Sequence, residues 1–298
     1  MQRVLRHVAR GNLMRYRRDR TRAVKVSVFV CTLLFIQAVH AQDTAKIAAN
    51  HPWARFEVGS WKRVRMSHES VGADGQVEQT SVTETKTTLV EVASTGYQLN
   101  VELTVELAGK RFPAEPKRIR QGFHGETNGQ SANVQPLGAS ELVIDGKKYP
   151  IEMRKVVING DDQKRTTLVH YNDQVSPYVL KRVTTATDAA GDKPNYESIV
   201  EVVAVAMPYR VISDIRLVSL LKTTQKQASG ASTITFEVHC DDVPGGIVAH
   251  SAKELNAQNQ VVSRSTLELA EYHVVGTIVG VENTPAGRRR VFPRARNR

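Results

Sequence analysis

Apolar and polar residues alternate along most of the chain from Trp53 onward. Between Tyr97 and Leu107 the alternation places Tyr97, Leu99, Val101 and Leu103 on one face, which is typical of a half-buried strand. Residues 80–92 are rich in Thr and Val, which lose side-chain freedom in a helix and pack well in a sheet. The pattern therefore predicts a mainly β protein with few helices, built as an antiparallel curved sheet that forms a sandwich or a partial barrel.

Turn residues punctuate these runs. Asp-Gly or Asn-Gly pairs at positions 74–75, 145–146 and 159–160 tolerate the positive φ angles that tight hairpins require. Residues 113–138 are instead rich in Pro, Gly and Asn, and we expect an irregular connection there with one short helix.

An internal similarity adds tandem β repeats to this prediction. Residues 167–180 align with residues 235–248 at an offset of 68, and both copies contain a strand, an Asp-x-Val bend and a second strand. Residues 197–202 match residues 264–269 at an offset of 67. Two copies of a four-strand unit account for the pattern, and chance similarity between Val- and Thr-rich strands is the alternative.

The repeated bend has a structural explanation. An aspartate at its start can accept hydrogen bonds from backbone amides two residues on, while Pro and Gly allow a sharp change of direction. The residues that we assign to this structural bend are Asp173, Val175, Pro177, Asp241, Val243, Pro244, Gly245 and Gly246.

Residues 141–272 resemble a group of exported bacterial β-sheet proteins. The resemblance depends on two segments, Asp241-Asp-Val-Pro-Gly-Gly-Ile-Val248 and Asp145-Gly-Lys-Lys-Tyr149. Some members of that group have a curved half-barrel like that of periplasmic lipoprotein carriers. The resemblance implies a fold tendency and carries over no functional residue, because these are bend and hairpin signals and fold alone does not determine function.

The N-terminal residues have the composition of an export signal. Eight Arg precede a short apolar run at 26–36, and Ala38-Val-His-Ala41 follows, so we expect cleavage after Ala41. An uncleaved membrane anchor is the alternative, although the run is shorter than a spanning helix. We divide the chain into a signal peptide (1–41), an N-terminal β region (42–140), two β repeats (141–208 and 209–281) and a basic disordered tail (282–298).

The net charge of +11 does not indicate nucleic-acid binding. Residues 1–25 carry +8 and residues 288–298 carry +6, which leaves −3 for residues 26–287. A nucleic-acid-binding domain shows Lys and Arg clustered on a folded face instead. The C-terminal Arg tail is either a solvated tail or a segment in electrostatic contact with an anionic surface.

One polar cluster deserves consideration as a site. Cys240 and His250 are candidates for a thiol nucleophile and its base, and His239, Asp241 and His250 are candidates for metal ligands. The other repeat carries Tyr171, Asn172 and Arg182 opposite His239, Cys240 and His250, which favours a structural role. No motif for a cofactor, a phosphate loop or a serine nucleophile is present.

Three aromatic residues near the predicted mature N-terminus, Trp53, Phe56 and Trp61, either form a platform for a sugar or begin the hydrophobic part of the sheet. The latter is favoured.

The export signal, the repeated strands and the lack of catalytic motifs favour a non-enzymatic exported binding or scaffolding module. Its partner would be a lipid, a lipidated chain or another envelope protein, in a periplasm or outside the cell. The alternatives are a cell-envelope thiol enzyme or hydrolase that uses Cys240 and His250, and a metal-binding module.

Overall fold

A computed structural model describes residues 47–127 and 129–276. The predicted leader and the Arg tail lie outside the described residues. After a short helical turn at 47–49, the described chain contains fourteen strands. They are β1 (Trp61–Val71), β2 (Val77–Ala93), β3 (Gly96–Leu107), β4 (Lys110–Pro113), β5 (Lys117–Gly122), β6 (Ser131–Ile144), β7 (Lys147–Asn159), β8 (Gln163–Tyr171), β9 (Val179–Asp188), β10 (Pro194–Val211), β11 (Asp214–Gln227), β12 (Ser232–His239), β13 (Ile247–Leu255) and β14 (Val261–His273).

All fourteen strands belong to one antiparallel sheet. Its order is β4-β3-β2-β1-β14-β13-β12-β11-β10-β9-β8-β7-β6, and β5 pairs with β3 beside β4. Strands that follow one another in the chain are neighbours, except that β5 pairs with neither β4 nor β6. In addition, β1 pairs with β14, which joins the two ends of the folded chain. The predicted fold class is confirmed, since the sheet is antiparallel, curved and unclosed.

The prediction for residues 113–138 was wrong. β5 and the first half of β6 lie in this segment, and no helix occurs among its described residues. Both strands are at edges of the sheet, where one side of the backbone forms no hydrogen bonds to a neighbouring strand. Pro136 is tolerated in β6 because an edge strand does not need every backbone N–H as a donor. Gly138 adopts a φ of 105° where the β6–β7 register shifts, so these residues shape an edge strand rather than interrupt it.

The N-terminal segment (residues 47–59) shows how strongly the sheet curves. The rings of His51 and Tyr97 on β3 have centroids 4.6 Å apart, while Asn50 Nδ2 donates a hydrogen bond to Tyr171 Oη on β8 at 2.6 Å. In a flat sheet, nine strand spacings would separate β3 from β8 by about 43 Å. Two adjacent residues touch both strands, so the sheet curls around this segment at one end.

Three hydrophobic clusters stabilise the curled sheet. One joins the β6–β7 hairpin to the middle of the sheet through Ile144, Ile151, Leu180, Val202 and Leu221. A second packs beneath the β12–β13 bend, and its buried members are Val211, Val218, Cys240, Val243 and Val248. The third consists of Leu89, Tyr97 and Leu99, with Trp53, Phe56, Val101 and Phe123 packed against it. The third cluster fastens the N-terminal segment to β2 and β3.

The two predicted bends share hydrogen bonds at an offset of 68 residues. Asn172 N donates to Tyr178 O as Cys240 N donates to Gly246 O, each at 2.8 Å. Tyr178 N and Gly246 N then donate to Val175 O and Val243 O, also at 2.8 Å. The bends therefore have matching backbone contacts, and the full four-strand repeat stays a prediction.

The side chains that shape the bends differ from our expectation. In the first bend the amides of Gln174 and Val175 donate to Asn172 Oδ1, both at 2.8 Å, so the residue before Asp173 caps the turn. In the second bend Asp241 forms an ion pair with Arg55 at 3.2 Å. Val243 and Pro244 are fully buried there, and Gly245 and Gly246 adopt φ angles of 74° and 73°. In the first bend, the Ser176–Pro177 peptide bond is cis.

The predicted boundaries can be placed on the strands. Position 140/141 lies within β6 and position 208/209 lies within β10, and the single sheet continues across both. Within the described residues, no helix has the length and apolar character needed to cross a membrane.

Candidate functional site: the inner trough

The face of the sheet on which the N-terminal segment packs is called the inner face here. Directly opposed residues of neighbouring strands point to the same face, so the register identifies its members. Leu267 lies opposite both Met66 and His250, His250 lies opposite Glu237, and Glu237 lies opposite Leu221. By the alternation within each strand, Lys62 on β1 and Arg182 on β9 belong to the same face.

Half-buried uncharged side chains line much of the inner face away from the N-terminal segment. Alternate residues on the outer face of the same strands, such as Phe236, Ser251 and Thr266, are exposed. The half-buried lining includes Thr83, Thr85, Thr167, Thr184, Val200, Thr223, Thr235, Ala252 and Ser265. Because these residues are neither fully buried nor fully exposed, the inner face forms a trough that solvent reaches, closed at one end by the N-terminal segment.

Lys62, Glu237 and Arg182 are among the charged residues of the inner face. Lys62 Nζ donates to Ile247 O at 3.0 Å and lies 5.8 Å from the centroid of the Trp53 ring. Burial lowers the pKa of Lys62 to about 8, although Glu237 opposes the shift. Burial raises the pKa of Glu237, and the positive charges of Arg182 and Lys62 oppose that change. The two cations of the trough thus limit the rise in the pKa of Glu237 that burial causes.

Arg182 makes no close ion pair with another described residue. Among the described residues, no carboxylate lies within 4 Å of its guanidinium group. Partial desolvation of the guanidinium group by the walls of the trough lowers the pKa of Arg182, and Glu237 is the largest opposing influence. Its side chain is nevertheless exposed to solvent, as expected on the wall of a concave surface. An exposed cation inside a trough is positioned to meet an anionic group of a ligand.

The closed end of the trough holds a second polar group. Arg55 from the N-terminal segment pairs with Asp241, and His239 Nδ1 lies 3.8 Å from Asp241 Oδ1. Burial lowers the pKa of His239 to about 4, so the imidazole is neutral at neutral pH. Within the described part of the chain, His239 Nδ1 and His250 Nε2 are buried with no hydrogen-bond partner.

The structure places the residues that the sequence singled out for catalysis or metal binding in different surroundings. Cys240 lies in the apolar cluster beneath its bend, only 1% exposed, and burial raises the pKa of its thiol. His250 lies on β13 opposite Glu237. In residues 47–127 and 129–276, no group of three or more His, Cys, Asp or Glu side chains is placed to hold a metal ion.

The three N-terminal aromatic residues separate in the structure. Trp53 and Phe56 pack against the Leu89, Tyr97 and Leu99 cluster under the sheet. Trp61 lies on the outer face, where the Lys86 ammonium group is 4.8 Å from the ring centroid. They therefore do not form one binding platform.

Lys62 and Glu237 were not predicted from the sequence as site residues, and Arg182 was predicted only as the counterpart of His250 in the other repeat. The sequence did contain a local signal for these three charged residues, because the alternation within each strand assigns them to the inner face. What the sequence could not show is that three strands far apart along the chain bring these charges to one trough.

The outer face carries a separate open groove of about 400 Å³. Ile234 and Phe236 form its apolar part, and Glu69, Lys253 and Arg264 contribute charges. Phe236 is 54% exposed, so this groove is shallow compared with a ligand-enclosing site.

No protein-family model and no curated protein matches the chain. Among solved structures it is similar to a candidate lipoprotein from Parabacteroides distasonis, which is of mainly β fold. That match has 11% identity and a TM-score of 0.31, and covers 73% of this chain and 96% of the other. A candidate thioesterase II from Thermobifida fusca matches with 9% identity and a TM-score of 0.12, covering 72% and 81%. Both TM-scores lie below 0.5, and neither likeness indicates a function for this chain.

Proposed function

We propose that this chain is an exported, non-enzymatic binding module whose trough takes an amphiphilic molecule with an anionic head group. The observation that carries the proposal is Arg182, an exposed guanidinium group inside the trough with no carboxylate within 4 Å among the described residues. A carboxylate or phosphate of a ligand would satisfy it through a charge-assisted hydrogen bond.

The surroundings of Arg182 favour an amphiphile over a small polar anion. Val169 and Val200 lie directly opposite Arg182 on the neighbouring strands, and both are only half-buried. A hydrocarbon chain gains about 0.8 kcal/mol for each methylene group that it buries against such a surface. The predicted leader at residues 1–41 supports export, which would place the trough among the lipids and lipidated chains of a cell envelope.

A fluorescent long-chain fatty acid is a direct probe of this site. We expect saturable binding to the purified chain, and the Arg182→Gln variant should bind about tenfold more weakly because it loses a charged hydrogen bond. Arg264→Gln is the matched control, since Arg264 is an exposed arginine on the outer face of the same sheet. Its affinity should stay within about twofold of the unmodified chain.

Native mass spectrometry of the purified chain provides an independent measurement. A copurifying lipid mass that is reduced in the Arg182→Gln variant would support the proposal. If the chain carries no ligand mass and the fatty acid does not bind, the trough is not a lipid site and a scaffolding role is favoured.

A further inference from the structure

The sheet edge formed by β4 and β5 differs from the rest of the surface. Every residue from Leu107 to Arg120 is exposed. The eleven residues 110–120 include five Lys or Arg and one acid, Glu115, in a chain whose residues 26–287 carry a net charge of −3. Both strands pair only with β3, so this edge is positively charged and faces solvent.

The two faces of this edge carry different chemistry. On the outer face, Arg111 lies 3.6 Å from Glu84 and opposite Glu106, so its charge is partly neutralised. On the inner face the pairing with β3 places Lys110, Phe112, Lys117 and Ile119 together with Leu107. These five residues are called the edge patch.

The edge patch combines exposed apolar surface with unneutralised positive charge. Phe112 is 53% exposed, Ile119 43% and Leu107 37%. Among the described residues, no carboxylate lies within 4 Å of Lys110 or Lys117. The neighbouring inner-face positions of β3 are apolar, and those of β2 carry Ser, Thr or Leu, so no acid shares this face near the edge.

We infer that the edge patch docks the protein on an anionic lipid surface. Phe and Ile side chains partition into the region between head groups and acyl chains, while lysines extend along their apolar stems to reach anionic head groups. A soluble polyanion would use the lysines and gain nothing from Phe112 and Ile119, so the exposed apolar pair favours a membrane. The inference is independent of the proposed trough ligand, because it uses a different part of the sheet.

Co-sedimentation with vesicles tests the inference. The probe is a vesicle of phosphatidylcholine with about one third phosphatidylglycerol, compared with pure phosphatidylcholine. We expect the chain to bind the anionic vesicles, and the double variant Lys110→Gln/Lys117→Gln to bind them about 25-fold more weakly, since each cation near an anionic surface contributes roughly fivefold. All variants keep the leader and the Arg tail, so the contributions of those segments cancel in the comparison.

A second pair of variants separates lipid insertion from simple charge attraction. Phe112→Ser/Ile119→Ser should lower vesicle binding about tenfold while retention on immobilised polyphosphate stays unchanged. The matched control Lys253→Gln/Arg264→Gln removes two exposed cations from the outer groove and should change vesicle binding by less than about twofold.

Three results would overturn the inference: no preference of the unmodified chain for anionic vesicles, an equal loss in the control variant, or unchanged vesicle binding after removal of Phe112 and Ile119. Far-ultraviolet circular dichroism verifies that each variant is folded. A tryptophan at position 112 (Phe112→Trp) gives a readout that does not depend on affinity, because brominated lipids should quench its fluorescence only if the edge patch enters the bilayer.

Discussion

At the scale of single residues, Gly246 shows why the bend between β12 and β13 has its sequence. Its φ is 73°, and a Cβ atom there would collide with the His239 imidazole, which is buried. Gly146 in the β6–β7 hairpin has the same φ of 73°, but a Cβ atom there would have no neighbour within 4 Å. Substitutions at Gly146 and Gly246 therefore distinguish the effect of backbone strain alone from that of strain combined with steric collision.

We expect Gly146→Ala to lower the free energy of unfolding by about 1 kcal/mol, the cost of a left-handed backbone for alanine. Gly246→Ala should lower it by about 3 kcal/mol, because overpacking against His239 adds to the same strain. Urea denaturation measures both values. Equal losses would mean that the His239 side chain moves aside at no cost.

The sequence indicated glycines at both turns because Asp-Gly and Pro-Gly-Gly are turn signals. It did not indicate that Asn172, rather than Asp173, caps the first bend, nor that Asp241 pairs with Arg55. An Asx turn can begin at either Asn172 or Asp173, because both side chains can accept hydrogen bonds from nearby backbone amides. The ion-pair partner of Asp241 lies 186 residues away in the chain. The positions of the turns were therefore predictable from the local sequence, whereas the choice between two adjacent capping residues and the long-range ion pair were not.

At the scale of elements, the N-terminal segment performs a role that its composition does not reveal. Trp53 packs into the cluster of Leu89, Tyr97 and Leu99, and Pro52 O accepts a hydrogen bond from Gly245 N at 2.8 Å. Trp61, eight residues later, lies on the outer face near Lys86. Two tryptophans of similar sequence context thus have different packing.

Trp53→Ala should lower the free energy of unfolding by about 3 kcal/mol, since it removes a large side chain from the closed end of the sheet. Trp61→Ala should lower the free energy of unfolding by about 1 kcal/mol, because a cation–aromatic contact at the surface contributes about that much. Thermal or urea unfolding followed by circular dichroism compares them. A larger loss for Trp61 than for Trp53 would show that the N-terminal segment does not stabilise the sheet.

At the scale of the whole molecule, one sheet contains both predicted repeats and the N-terminal β region. β10 and β11 pair from Tyr196 to Val211 across the predicted repeat boundary, and β1 pairs with β14. An isolated repeat unit would leave the backbone hydrogen-bonding groups of its long edge strands unpaired. The parts of the sheet are therefore expected to unfold together.

We expect a single urea transition, with the same midpoint by tryptophan fluorescence and by circular dichroism. Trp53 and Trp61 report on the region around β1, while circular dichroism reports on all strands. Two midpoints would mean that the N-terminal region and the repeats unfold independently, as separate domains would.

The sequence by itself determined the class of structure, because alternation and hairpin residues act within a few neighbouring positions. It also predicted the bends at Asp173 and Asp241 and an export signal at residues 1–41. Only the tertiary structure decided the curvature of the sheet, the plugging of one end by residues 47–59, and the meeting of Lys62, Arg182 and Glu237 on one face. Those features depend on which distant strands pair and on how far the sheet coils, and the same local alternation is compatible with a sandwich, a flat sheet or a trough.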